Sequence, residues 1–128
     1  MEEHLTFPVG DISLEGLFST PQDTAQIGAV LCHPHPLYGG EMRNSVVSAL
    51  ADTFQKAGIA TLRFNFRGVG QSGGQHGEGE AELEDVKAAV TALLDRQAVS
   101  HVVVAGYSFG SMVGLRAGAN DGRVHTLI

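Results

Sequence analysis

The chain of 128 residues is short of several things at once: it has one cysteine, four prolines, no tryptophan and only 8 Lys and Arg against 14 Asp and Glu. The single cysteine, Cys32, cannot close an internal disulfide, which suits a reducing cytoplasm. The formal charge of −6 comes with no offsetting basic stripe, which argues against a nucleic-acid partner. No apolar run approaches the roughly 20 residues needed to span a bilayer. The opening Met1-Glu2-Glu3-His4 is acidic with no apolar core behind it, so no signal peptide is visible. Repeats and long linkers are also lacking. What remains, 43% hydrophobic and 17% charged, fits a single cytoplasmic globular domain spanning residues 1–128.

The order of elements follows from periodicity. His4–Val9 and Ile12–Phe18 alternate apolar and polar residues around Gly10-Asp11, which predicts an antiparallel hairpin. Thr20–Asp23 reads as a turn. The pattern then changes to continuous apolar runs, Ile27–Cys32, Ile59–Phe66, Val102–Ala105 and Val124–Ile128, the mark of buried parallel strands joined by helices. Val46, Val47, Leu50, Phe54 and Ala57 form one helical stripe that Gly58 ends. Leu83, Val86, Val90, Leu93 and Leu94 form a second, with Glu80, Glu82, Glu84 and Asp85 at its dipole-favoured start. A third helix is expected from Phe109 to Ala119. The fold class is therefore α/β, a mainly parallel sheet with helices on both faces.

The chemistry concentrates in Gly106-Tyr107-Ser108-Phe109-Gly110, a G-x-S-x-G between a buried strand and a helix. In that setting the pattern is a nucleophile elbow, a sharp turn that lifts a serine hydroxyl out of the sheet. The glycines are needed because side chains two residues to either side would collide with the turn. The bland alternative is a tight strand-to-helix turn with Ser108 as helix cap. An acyl-transfer site also needs two backbone N–H donors. Phe109 supplies one. In Cys32-His33-Pro34-His35-Pro36 the prolines have no N–H, so His35 is the one possible second donor between them. Cys32, His33 and His35 read less well as metal ligands, because tetrahedral sites draw on wider, paired spacings. His33 reads as a buried histidine that hydrogen-bonds the loop.

Gly68-Val69-Gly70-Gln71-Ser72-Gly73 spells G-x-G-x-x-G, yet no helix opens at Gly73 and no acidic residue ends the next strand, so a dinucleotide site does not fit. The segment Gly68–Gly79 reads instead as a flexible loop at the rim of the site. Arg67 is expected to anchor it in a partly exposed, energetically minor pair with Glu82 or Asp85. His4, His76, His101 and His125 show no triad spacing and read as surface or packing residues.

These residues resemble the α/β-hydrolase superfamily. His33-Pro34-His35-Pro36 with Gly39-Gly40 is similar to the oxyanion loop of a group of small bacterial α/β hydrolases. Phe64-Asn65-Phe66-Arg67-Gly68-Val69-Gly70-Gln71-Ser72 is similar to the superfamily's D-x-R-G-x-G-x-S loop, with Asn65 where many members have Asp. The resemblance implies an eight-stranded sheet of which this chain reaches the sixth strand, and a triad in the order Ser, acid, His. Ser108 is then the nucleophile of a serine hydrolase acting on an ester, thioester or peptide, preferred in that order, through an acyl-enzyme. His35 and Phe109 are the oxyanion donors. Neither cofactor nor metal is needed, and the partner is a small acyl substrate. The acid and base are expected beyond Ile128, which makes the chain an incomplete domain, inactive alone and prone to pair through an open sheet edge. The alternative is a non-catalytic binding protein of the same fold.

Overall fold

A computed structural model describes residues 2–21 and 25–128. The expected turn at Thr20–Asp23 falls partly outside the described residues. The hairpin forms as β1 (Glu2–Val9) and β2 (Ile12–Ser19), with Val9 opposite Ile12 and Gly10 at φ +55 in the turn. Beyond it come β3 (Ile27–Cys32), α1 (Ser45–Lys56), β4 (Ala60–Phe64), α2 (Glu82–Arg96), β5 (His101–Gly106), α3 (Phe109–Ala119) and β6 (Thr126–Leu127). The strands make one six-stranded sheet in the order β1-β2-β4-β3-β5-β6. β2 runs antiparallel to β1 and β4, whereas β4, β3, β5 and β6 are mutually parallel.

Period-two alternation decides which helix each strand residue meets. Ala29 and Leu31 of β3, with Val103 and Ala105 of β5, pack under Val47 and Ala51 of α1. Their neighbours Val30, Cys32, Val102 and Val104 point the other way, into the larger core with Val86, Val90 and Leu93 of α2 and Val113 and Ala117 of α3. Helices therefore cover both faces, as the apolar runs imply. α1 starts at an Asn44 cap whose side chain accepts the Val46 N–H at 3.0 Å, and it stops before Gly58, at φ +84.

Two details differ from the pattern read in the sequence. Val46 lies 40% exposed rather than on the buried stripe, because Val47 and Ala51 face the sheet. The sixth strand is only Thr126–Leu127, shorter than Val124–Ile128. His125 sits before it, and its Nδ1 accepts the Val102 N–H at 3.0 Å, an edge position that a further strand residue would otherwise fill. Among the described residues, no helix is long and apolar enough to cross a membrane.

Candidate active site

β3 and β5 lie side by side with Cys32 opposite Gly106, so the segments after them meet at the sheet's C-terminal edge. That adjacency joins Ser108 to the His33–Gly40 turn, 70 residues earlier. Ser108 adopts φ 57 and ψ −120, a left-handed φ that few non-glycine residues take. It is the strained turn the G-x-S-x-G pattern predicts. A Cβ on Gly106 would stand 2.4 Å from the Gly110 carbonyl oxygen, and one on Gly110 would stand 2.2 Å from that of Cys32. Both glycines are therefore dictated by backbone against backbone. Ser108 is exposed, and its carbonyl accepts the Ser111 N–H and hydroxyl at 3.0 and 2.7 Å, closing the first turn of α3.

Phe109 is the first residue of α3, and an N–H there has no acceptor within its own helix. The His35 ring stands 4.9 Å from the Phe109 ring, edge to face, so the turn after β3 and the start of α3 meet across the β3–β5 seam. Gly40 lets the turn double back: a Cβ there would overlap the Pro34 carbonyl at 1.8 Å. His33 is fully buried. Its Nδ1 donates to the Pro34 carbonyl at 2.7 Å, and its Nε2 accepts the Phe66 N–H at 3.1 Å. Burial holds its pKa down at about 4 against the opposing pull of the Pro34 carbonyl. It is the neutral, loop-pinning histidine expected from its place after β3. Burial also pushes the Cys32 thiol up to about 12, so it is an inert core residue. No cluster of three metal-ligating side chains occurs among the described residues.

A model of the family described as serine aminopeptidase, S33, matches residues 37–128. The chain belongs to that family, within the α/β-hydrolase superfamily. An α/β serine hydrolase homologue from Coxiella burnetii is 36% identical and superposes with a TM-score of 0.89 over 98% of this chain and 60% of its own. XC6422 from Xanthomonas campestris, a serine hydrolase without a lid, is 35% identical, with a TM-score of 0.84 over 92% of this chain and 56% of its own. The uncharacterized protein RP471 of Rickettsia prowazekii is 35% identical over 105 residues, 80% of this chain and 44% of that protein. The chain thus spans less than two thirds of the length of each of these relatives.

In this α/β hydrolase the loop after β4 is held more firmly than its glycines suggest. Arg67 binds Asp85 through both Nε and Nη2, and its N–H donates to Asp85 Oδ2 at 2.9 Å. Arg67 is partly exposed, as expected, but Asp85 is fully buried, so the pair is more than the minor contact its sequence position suggests. Burial raises the Asp85 pKa even against the pull of Arg67. Glu82, also fully buried, accepts the Gly77 and Gly79 N–H groups at 2.8 and 3.0 Å. At the other end, Glu15 on β2 accepts Gln71 N–H at 2.6 Å and Asn65 Nδ2 at 2.8 Å, and meets His4 at 2.9 Å. Burial works against that carboxylate, but the His4, Gln71 and Asn65 hydrogen bonds outweigh it and hold its pKa below the usual value. Asn65 Oδ1 accepts the Met42 N–H at 2.7 Å, tying the loop before α1 to the end of β4.

Of the histidines set aside in the sequence, His76 alone reaches the site. It packs 4.9 Å from His35 and 5.5 Å from Phe109, ring to ring, over Glu82. Its signal was present, since it lies in the one long loop, but nothing local told that the loop folds back onto the elbow. Glu15 likewise carries only one mark in the sequence, a lone carboxylate in the apolar run Leu14–Phe18.

Proposed function

We propose that the protein is a serine hydrolase in which Ser108 attacks the carbonyl of an ester, or of a thioester or related acyl compound, to form an acyl-enzyme. The observation that carries this is the left-handed backbone of Ser108 at the head of α3, a costly conformation that exposes the hydroxyl. The N–H groups of Phe109 and His35 bind the oxyanion that develops on the carbonyl oxygen, and water then releases the acid. Among the described residues, no imidazole hydrogen-bonds the Ser108 hydroxyl. We place the general base, a histidine oriented by Asp or Glu, in the part of the relatives that residues 1–128 do not span. On this reading residues 1–128 alone hold a nucleophile with no base and do not turn over esters. The substrate is a small acyl compound, and neither metal nor organic cofactor takes part.

The test uses the full-length protein with p-nitrophenyl butyrate and a fluorophosphonate probe. Ser108→Ala should abolish labelling and lower kcat/KM at least about a thousandfold. Undiminished turnover would sink the assignment, and absence of both label and turnover in the wild-type protein would favour a binding protein of this fold.

A further inference from the structure

Both nitrogens of the buried His33 ring have a fixed role. The Pro34 carbonyl oxygen can only accept, so the ring proton lies on Nδ1 and is donated there at 2.7 Å. The other nitrogen, Nε2, accepts the Phe66 N–H at 3.1 Å and therefore carries no proton. The two contacts demand the same neutral tautomer.

The Pro34 carbonyl and the His35 N–H belong to one planar trans peptide, in which they point in opposite directions. Whatever fixes the oxygen therefore aims the N–H. Gly40 crowds that oxygen as well, since a Cβ there would stand 1.8 Å from it. The next peptide is held independently: the His35 carbonyl accepts the Tyr38 and Gly40 N–H groups, both at 3.0 Å. Pro34 and Pro36 fix the φ angles on either side. The ring of His33 is itself seated, edge to face on Phe66 at 4.9 Å, and Phe66 packs in turn on Phe109 at 5.6 Å. A line of contacts thus runs from the peptide that carries the His35 N–H, through His33 and Phe66, to Phe109.

We infer that His33 is a positioning residue: through the Pro34 carbonyl it aims the His35 N–H at the developing oxyanion, without touching the substrate itself. This rests on the proposed role of the His35 and Phe109 N–H groups in acyl transfer. Such a donor acts on charge that appears in the transition state, so losing its aim lowers kcat and leaves KM in place.

The test separates the two bonds of His33 in the full-length protein. His33→Asn puts an amide near the place of Nδ1 and keeps a donor for Pro34, whereas His33→Gln puts it near Nε2 and keeps an acceptor for Phe66. Each variant gives up one hydrogen bond, so both should melt below wild type by similar amounts. With p-nitrophenyl butyrate, His33→Gln should lose about a hundredfold in kcat at a KM within about twofold of wild type. His33→Asn should keep kcat within about tenfold. Equal kcat losses in the two variants, or a loss confined to KM, overturns the proposal. Spectra of 15N-labelled protein add a readout without turnover: the His33 proton should be on Nδ1, and the His35 amide resonance should move further in His33→Gln than in His33→Asn. A proton on Nε2 overturns the proposal too. If wild-type Ser108 neither labels nor turns over, the hydrolase reading falls, and the aiming of the His35 N–H stands or falls on those amide shifts. Should His33→Gln fail to fold, His33→Asn decides: kcat within about tenfold of wild type upholds the inference, and a loss of about a hundredfold overturns it.

Discussion

The elbow after β5 and the loop after β4 stand at the same edge of one sheet, and both are rich in glycine, yet they are held in different ways. At the elbow, Gly110 lies where a Cβ would meet the Cys32 carbonyl oxygen at 2.2 Å, main chain against main chain. In the β4 loop, a Cβ on Gly70 would meet the ends of side chains, Glu15 Oε2 at 2.5 Å and Asn65 Nδ2 at 2.6 Å. Three buried carboxylates, Glu15, Glu82 and Asp85, take up that loop's N–H groups. The first region is rigid because its backbone has no room, the second because its donors are answered. The elbow holds Ser108 in one fixed place, while the answered loop carries side chains such as His76 to the same edge.

Substitution at the glycines gives the largest contrast. Gly110→Ala should cost more than about 4 kcal/mol or prevent folding, since neither β3 nor β5 can retreat. Gly70→Ala should cost about 2 kcal/mol, for its left-handed φ and a shift of the Glu15 carboxylate. Urea denaturation of both variants checks this; equal losses would erase the distinction between the two regions.

His33 joins the two regions, and its titration sharpens the comparison. Its pKa is about 4 in the folded protein against an ordinary 6.5, so the unfolded chain binds more protons in between. The stability it contributes is present above pH 6.5 and is lost as pH falls toward 4, by about 3 kcal/mol. Glu15, held below its ordinary pKa, adds its loss only at the acid end of that range. Denaturation curves at pH 7.5 and 4.5 should show the decline in the wild type and a flatter profile in His33→Asn. A decline of the same size in the variant would assign the proton to another group.

The smallest expected effect lies in the loop. Asn65→Asp would place a second carboxylate about 2.8 Å from that of Glu15, where both cannot be ionised cheaply. The variant should lose about 1–2 kcal/mol relative to wild type at pH 7 and regain part of it near pH 4, where one carboxyl takes a proton. Thermal melts at the two pH values measure the difference. Equal stability at pH 7 would mean that the Glu15 hydrogen bonds tolerate the charge.

The same contrast explains what was legible in the sequence. The elbow, α3 from Phe109 to Ala119, β3 and the neutral His33 all follow from neighbours within a few residues, where strand, glycine and helix chemistry act locally. The β4 loop depends on Glu15, some fifty residues away in the chain, and on Glu82 and Asp85 from the start of α2. Those carboxylates look like ordinary helix-dipole partners or a stray strand charge until the chain folds. Asn65 illustrates the limit: its departure from the Asp of similar loops makes sense only once Glu15 is seen at 2.8 Å.

The left-handed turn at Ser108 has a consequence for how such a chain changes over time. Its shape is set by Gly106, Gly110 and the Cys32 carbonyl, none of which touches the side chain at position 108 through its own chemistry. Any L-residue placed there meets much the same conformational cost, so a thiol or a carboxylate could occupy the perch without rebuilding the sheet. The backbone perch and the side chain it carries are separable parts, and a new group can be tried at position 108 by a single codon.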